Sequence, residues 1–325
     1  STEAPDGTTL MWHATSAGQD ATGRPGNVFT HAAATRSPSP DTRPIDYWRS
    51  HSWLTPFGIG EVNAAKVTTL RPGDTVGRGP VVDFIYEGDN RFAAEWLLAA
   101  VAYAYASGST VVLAAETADE AAQWIGVVCH LMSPAQARGL RWVTFERAAN
   151  VSRVVAVDSL DLVCIPREDL DEMLAEASPT TLALDPRWSL DDDGTLWEAP
   201  GGQSWPDAPR WQNAMLDLFS LDKASILEVL ATMDDITSSL TSAAAAGLPP
   251  HWGLSMAMLV TGSPVTDAEQ VRRECVDTFP PELEQHPALA EFVPRRRAAE
   301  QTVEPVPETA GGLPAEHPDR RSGGY

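Results

Sequence analysis

The stretch TVVLAAE, Thr110–Glu116, is the feature that most limits what this chain can fold into. A short, continuous, β-branched and apolar run of this kind reads as a strand buried on both faces. On its N-terminal side Phe92, Trp96, Leu97, Ala100, Val101 and Ala104 recur at helical spacing, with Asn90 as the cap and Gly108 as the stop. On its C-terminal side TADEAAQWIGVVCHLMS opens with Thr117 and Glu120 at capping-box spacing, and SPAQARG follows with Pro134 in a first turn. A strand covered on both faces by helices belongs to an α/β layer with a partly parallel sheet.

The rest of the chain is organised around that layer. LRWVTFE (Leu140–Glu146), RVVAVD (Arg153–Asp158), DLVCIP (Asp161–Pro166) and VVDFIYEG (Val81–Gly88) are further candidate strands, and REDLDEMLAEA a helix. Upstream, TLMWHAT and NVFTHAAA alternate around a Gly/Pro connection and read as a hairpin; Pro25 and Gly26 have the type II turn pattern. IDYWRSHSWLTPFG reads as short strand and turn pieces that lid a core. The expected fold class is therefore α/β (α+β overall). A β-rich domain over 1–75 ends at the Gly/Pro-dense LRPGDTVGRGP, an α/β domain covers 76–180, a helical section with a Trp-rich loop covers 181–297, and 298–325 is a disordered tail.

Charge narrows the partners. Of 325 residues, 45 are acidic and 23 basic, a net charge of −22. Such a surface repels nucleic-acid phosphates and anionic lipid, which argues against both as partners. Lys66 and Lys223 are the only lysines, a composition associated with high-GC bacterial genomes. Cys129, Cys164 and Cys275 lie far apart with no C-x-x-C pair, and there is neither an apolar run of membrane-spanning length nor a leader, so a reducing cytoplasm is the expected compartment.

Catalytic motifs are incomplete. GRPGN is not a P-loop, because both lysines have the wrong followers, and GIGEVN does not complete G-x-G-x-x-G. The seven histidines form no H-x-x-x-H or H-E-x-x-H, so neither a metal nor any other cofactor is expected. GLSMA lies inside a helical run and not at a strand-to-helix elbow. DDDG (Asp191–Gly194) lacks EF-hand spacing. Cys129 and Cys164 read as buried, inert thiols. Asp158 and Asp161 sit at candidate strand ends, where α/β folds place functional carboxylates, so a hydrolase pairing His31 with one of them is the enzymatic alternative. Trp48, Trp53, Trp96, Trp124, Trp142, Trp211 and Trp252 read as core; Trp188, Trp197 and Trp205 lie in the long loop.

Taken in order, these segments resemble a known family. GRPGNVFTHAAATR followed by PIDYWRSHSWLTPFG resembles the N-terminal domain of the bacterial GTPase-associated protein family. The run from WLLAAVAYAYASGSTVVLAAE to LRWVTFERAANV resembles its middle domain. Family members are commonly longer, whereas this chain ends in a low-complexity tail. The resemblance implies a non-enzymatic adaptor in a GTPase-centred conflict or signalling system, in contact with a small Ras-like GTPase and with other proteins of that system. Arg24, Asn27, Thr30, His31, Trp48 and Trp53, in the segments that carry the resemblance, are then the candidate partner-binding residues. Arg24, on a turn, is also the candidate for a residue supplied to a GTPase site, as an arginine finger is.

Overall fold

The computed structural model describes residues 1–4, 6–20, 22–35, 41–176, 180–187, 198–199, 203–204 and 209–293. The expected tail, the loop tryptophans Trp188, Trp197 and Trp205, and the DDDG run lie outside them. Residues Ser1–Val293 form one compact unit.

The chain begins with a three-stranded antiparallel sheet in the order β1 (Thr2–Glu3), β2 (Thr9–Gly18), β3 (Asn27–Thr35). The β2–β3 hairpin is the expected one. Gly26 sits at φ 89°, in the left-handed region a type II turn requires of its third residue. Asp20 stiffens the connection by accepting from the Thr22 and Arg24 amides at 2.7 and 2.9 Å. The aromatic stretch after the hairpin forms a single 3-10 turn, Pro44–Tyr47, and irregular turns, followed by α1 (Gly58–Ala64).

VVDFIYEG is not a strand. Its first five residues lie in α2 (Arg78–Ile85), because Val81, Val82 and Ile85 fall on one helical face and all three are buried. Next come α3 (Asn90–Ser107), ended by Gly108 at φ 68°, and β4 (Thr110–Ala115), buried at every position. α4 (Ala118–His130) is capped by Thr117, whose side chain accepts from the Glu120 amide. α5 (Pro134–Gly139) carries a full capping box between Ser133 and Gln136. Of LRWVTFE only Trp142–Val143 pairs as β5, and RVVAVD lies wholly within α6 (Ala148–Asp158). β6 (Leu162–Pro166), α7 (Leu170–Ala175) and β7 (Thr181–Leu184) complete the layer.

The second sheet runs β5-β6-β4-β7, and every pairing in it is parallel. Strand alternation divides its side chains between two cores. Val111, Leu113, Leu162, Cys164, Leu182 and Leu184 join the larger core with α3 and α4; Val112, Ala114, Val163 and Ile165 join the smaller one with α6 and α7. A short antiparallel ladder, β8 (Glu198–Ala199) with β9 (Gln203–Ser204), precedes the helical section α8 (Pro209–Phe219), α9 (Lys223–Ile236), α10 (Ser242–Ala245), α11 (Trp252–Thr261) and α12 (Ala268–Asp277).

The larger core is continuous from Ile45 through α3 and α4 to Trp211, Trp252 and Phe292. One side chain ties its parts together. Arg43, 2% exposed, donates to the Cys129 and Met132 carbonyls and, through both Nη atoms, to the Asp234 carboxylate at 3.1 and 2.6 Å. Arg78 reaches the same carboxylate. Segments separated by up to 191 positions are thus pinned to one buried ion pair.

Candidate partner-docking surface

The hairpin has two unlike faces. Because β2 and β3 pair His13 with His31 and Ala14 with Thr30, side chains alternate in step across both strands. The inward face carries Met11, His13, Phe29 and His31. His31, 6% exposed, accepts from the Leu54 amide at 3.1 Å and meets Trp53 edge-on at 5.1 Å. His13 stacks on the same indole at 5.6 Å. Burial, aided by Arg49 and His31, holds His13 below the ordinary imidazole range, so it is neutral at pH 7. Trp53, 8% exposed, donates its own N–H to the Tyr47 carbonyl.

The outward face carries Trp12, Ala14, Ser16, Val28, Thr30, Ala32 and Ala34, all exposed. Trp12 and Val28 are 45% and 65% exposed, large apolar groups on a sheet face that is exposed along its described length. Arg24 and Asn27 lie at the turn end of this face, also exposed. Of the six sequence candidates, the structure therefore sets Arg24, Asn27 and Thr30 at the surface and His31 and Trp53 beneath it. The last two are almost wholly buried and position the hairpin. Trp48 is half-buried, and its Nε1 donates to Asp119 Oδ1 at 2.9 Å, beside the Arg49–Asp119 pair at 2.7 Å. Burial pushes the Asp119 carboxyl up, but the bonds from Arg49 and Trp48 outweigh it and hold the group below its usual range. These contacts fasten the loop after the hairpin to the first turn of α4.

Between the hairpin and the parallel sheet lies a cleft of about 490 Å³. One wall is β2 from Met11 to Ala14, the other is the chain from Trp142 to Glu146 as it leaves β5, and Tyr47, Trp48 and Trp53 form the floor. Trp12 and Phe145, 45% and 55% exposed, stand at this cleft. The sequence singles out neither; both need the meeting of two strands about 130 positions apart to acquire meaning.

The crevice where an α/β sheet usually binds a ligand is differently furnished. The chain leaves β4 and β6, neighbours in the sheet, toward opposite faces, which makes the gap beyond them the topological switch point. Arg167 fills it, paired with Asp185 at 2.9 Å, Glu120 at 3.1 Å and Glu116 at 3.4 Å. Asp161 is bound by Arg141, and Asp158 is exposed at the end of α6. Among the described residues no hydrogen bond or ion pair joins His31 to Asp158 or Asp161, and no group of three His, Cys, Asp or Glu side chains is placed to hold a metal. No described helix is long and apolar enough to cross a membrane.

Comparison with known proteins agrees with this anatomy. Residues 2–70 match the family model described as GTPase-associated protein 1, N-terminal domain type 2, and residues 83–171 match that of GTPase-associated protein 1, middle domain. Two proteins from strains of Mycolicibacterium smegmatis, ATCC 700084 / mc(2)155 and MKD8, each bear the name "Putative ESX-1 scaffolding and assembly protein SaeB". Each is 36% identical over 282 residues, which is 83% of this chain and 32% of the relative. The chain thus spans about a third of the length of these relatives. No solved structure matches. The hairpin with its turn pieces lies in the first matched segment and most of the α/β layer in the second, in the same order, so over residues 2–70 and 83–171 the chain is similar to the N-terminal and middle domains of the GTPase-associated protein 1 family.

Proposed function

We propose that this chain is a scaffold segment that docks a small Ras-like GTPase on the outward face of the β2–β3 hairpin. The observation that carries the reading is an exposed sheet face, bearing Trp12 and Val28, inside the segment that matches the GTPase-associated N-terminal model. A rigid sheet with aromatic and β-branched groups exposed, rimmed by Arg24, Asn27 and Thr30, has the make-up of an interface core with a polar rim. The scaffolding name of the mycobacterial relatives supports the same reading. The hairpin is held from behind by His13, His31 and Trp53, so little order has to be created on binding, which favours affinity.

The test is biolayer interferometry of the purified chain against the small GTPases encoded in its source genome, each loaded with GDP or with a non-hydrolysable GTP analogue. Saturable binding of one GTPase that depends on the nucleotide, and that Val28→Glu abolishes, is the expected result. Binding that Val28→Glu and Thr30→Glu leave intact overturns the assignment of this face.

A further inference from the structure

The geometry points to the outer edge of β3 as a strand-addition site, where an extended strand of a protein partner pairs with residues 28–34 and continues the hairpin sheet. The proposal rests on the scaffold reading above, since β3 belongs to the hairpin taken there as the docking element. It deepens that reading by stating how the partner is held: by backbone hydrogen bonds along an edge as well as by side chains on the face.

Among the described residues β3 pairs with β2 alone. The direction of its backbone groups follows from the register. The Ala4 amide donates to the Thr8 carbonyl, so the backbone groups of Thr8 face β1. By the alternation of an antiparallel strand, those of Thr9, Met11, His13 and Thr15 face β3 instead. Their partners Thr35, Ala33, His31 and Phe29 therefore direct their N–H and C=O groups to β2. The residues between them, Val28, Thr30, Ala32 and Ala34, direct theirs away from β2, and all four are exposed. Among the described residues no other strand or loop backbone bonds these groups.

The edge is long and unguarded. β3 has nine residues, whereas the other edge strands described, β1, β5, β7, β8 and β9, have four or fewer. Soluble proteins ordinarily blunt an edge with Pro, with charged side chains, with a bulge or by keeping it short. Asn27–Thr35 contains no Pro, Gly, Asp, Glu, Lys or Arg, and the one irregularity of the ladder, between Ser16 and Gly18, lies on β2. The strand is also held from its inward side, where His31 accepts from the Leu54 amide and Trp53 packs edge-on against its ring. A preformed row of donors and acceptors needs little ordering when a second strand pairs with it.

Charge and shape select the occupant. Two copies paired through β3 would bring together two chains of net charge −22 each, and by prolonging one sheet they would leave Trp12 and Val28 exposed on both. A different protein, presenting an edge strand beside a layer packed on one face of its own sheet, covers the edge and those two side chains together. β3 also indicates what that strand carries. Val28 and Thr30 are β-branched, while Ala32 and Ala34 are small and leave room for larger neighbours across the ladder. The complementary strand therefore has aromatic or β-branched residues at every second position, and few carboxylates beside a chain this acidic.

The experiment is selection of a displayed random nonapeptide library on the full chain, followed by affinity and amide-exchange NMR measurements with the enriched peptides made synthetically. The expected enrichment is of aromatic or β-branched residues at every second position, with carboxylates depleted. At saturation such a peptide should slow exchange of the Val28, Thr30, Ala32 and Ala34 amides about tenfold or more, and leave those of Phe29, His31 and Ala33, already bonded to β2, as they were. Ala32→Pro, which removes an edge amide and no β2–β3 ladder bond, should weaken the peptide about tenfold, the equivalent of one or two backbone hydrogen bonds. The exchange readout needs no variant, so a misfolded Ala32→Pro chain does not end the test. No enrichment, enriched peptides that leave the four amides exchanging as before, or self-association of the chain that protects the same four amides, the last favouring a second copy as occupant, would each overturn the proposal. The same amides separate this proposal from the reading it rests on. GTPase binding that Val28→Glu abolishes but that protects none of them overturns the edge pairing and keeps the docking face; peptide pairing at β3 without binding of any GTPase upholds the edge and defeats the GTPase reading.

Discussion

Replacing Asp234 by Asn removes one charge from the buried centre that joins the segments of the larger core. Arg43 would remain 2% exposed, still held by the Cys129 and Met132 carbonyls but facing a neutral amide. Arg78, which shares the carboxylate, would lose the same anion, although at 33% exposure it can turn to solvent. Breaking a buried pair from one side costs about 3–5 kcal/mol, because the surviving charge stays desolvated. Unfolding entropies of about 2.1 cal/mol/K per residue give the unit Ser1–Val293 roughly 0.6 kcal/mol per kelvin. The expected fall in Tm is therefore about 5–8 °C by scanning calorimetry. The double variant Arg43→Met, Asp234→Leu removes both charges and should regain part of the loss. It should stay below the parent, because two carbonyls lose their donor. A single variant that melts within about a degree of the parent, or a double variant less stable than the single, would refute the idea that charge compensation at Arg43 holds these segments together.

Burial pushes His251 down to about 4 and also lowers His130, so both stay neutral in the fold where the unfolded chain binds protons. Their contribution is intact above pH 6.5 and lost as pH falls toward 4; Tm followed over that window should drop, and His251→Gln should flatten the drop. A Cβ on Gly126 would come within 2.4 Å of Val76 and 3.0 Å of Val81, so Gly126→Ala should cost about 1–3 kcal/mol in denaturant titration. Arg24→Ala should leave GTPase binding unchanged; if Arg24 serves as an arginine finger, the same change should abolish stimulated GTP hydrolysis, and unchanged stimulation excludes that role. Burial raises the Cys129 and Cys275 thiols to about 12, so native chain should be inert to a disulfide reagent that labels both once unfolded.

The α/β layer was legible in the sequence because its signals are local. Thr117 and Glu120 cap α4 as their spacing implies, Gly108 stops α3, and TVVLAAE is buried throughout as β4. Two of the errors share a cause. VVDFIYEG and RVVAVD are rich in valine, and β-branching is a weak guide when tertiary packing offers a helix an apolar face. α2 buries Val81, Val82 and Ile85 on one side, and α6 buries Ala148 and Val151. LRWVTFE falls short as a strand because β5 sits at the sheet edge with neighbours for only part of its length. At the candidate docking surface, strand alternation correctly separates Thr30 from His31. What it cannot convey is which face meets the rest of the protein. Trp53, in an irregular turn, settles that by packing under both histidines. The cleft was out of reach for a similar reason, since β2 and β5 have no sequence relation.

Arg167 has a consequence for how this protein can take part in nucleotide chemistry. A phosphate drawn to the carboxyl end of a parallel sheet ordinarily finds free amides and positive potential. Here it would meet a cation already engaged by Glu116, Glu120 and Asp185, on a chain of net charge −22, and the local field would turn it away. Under the function proposed above, a scaffold so arranged would not compete with a docked GTPase for the nucleotide. It would learn which nucleotide such a partner carries only from the partner's shape.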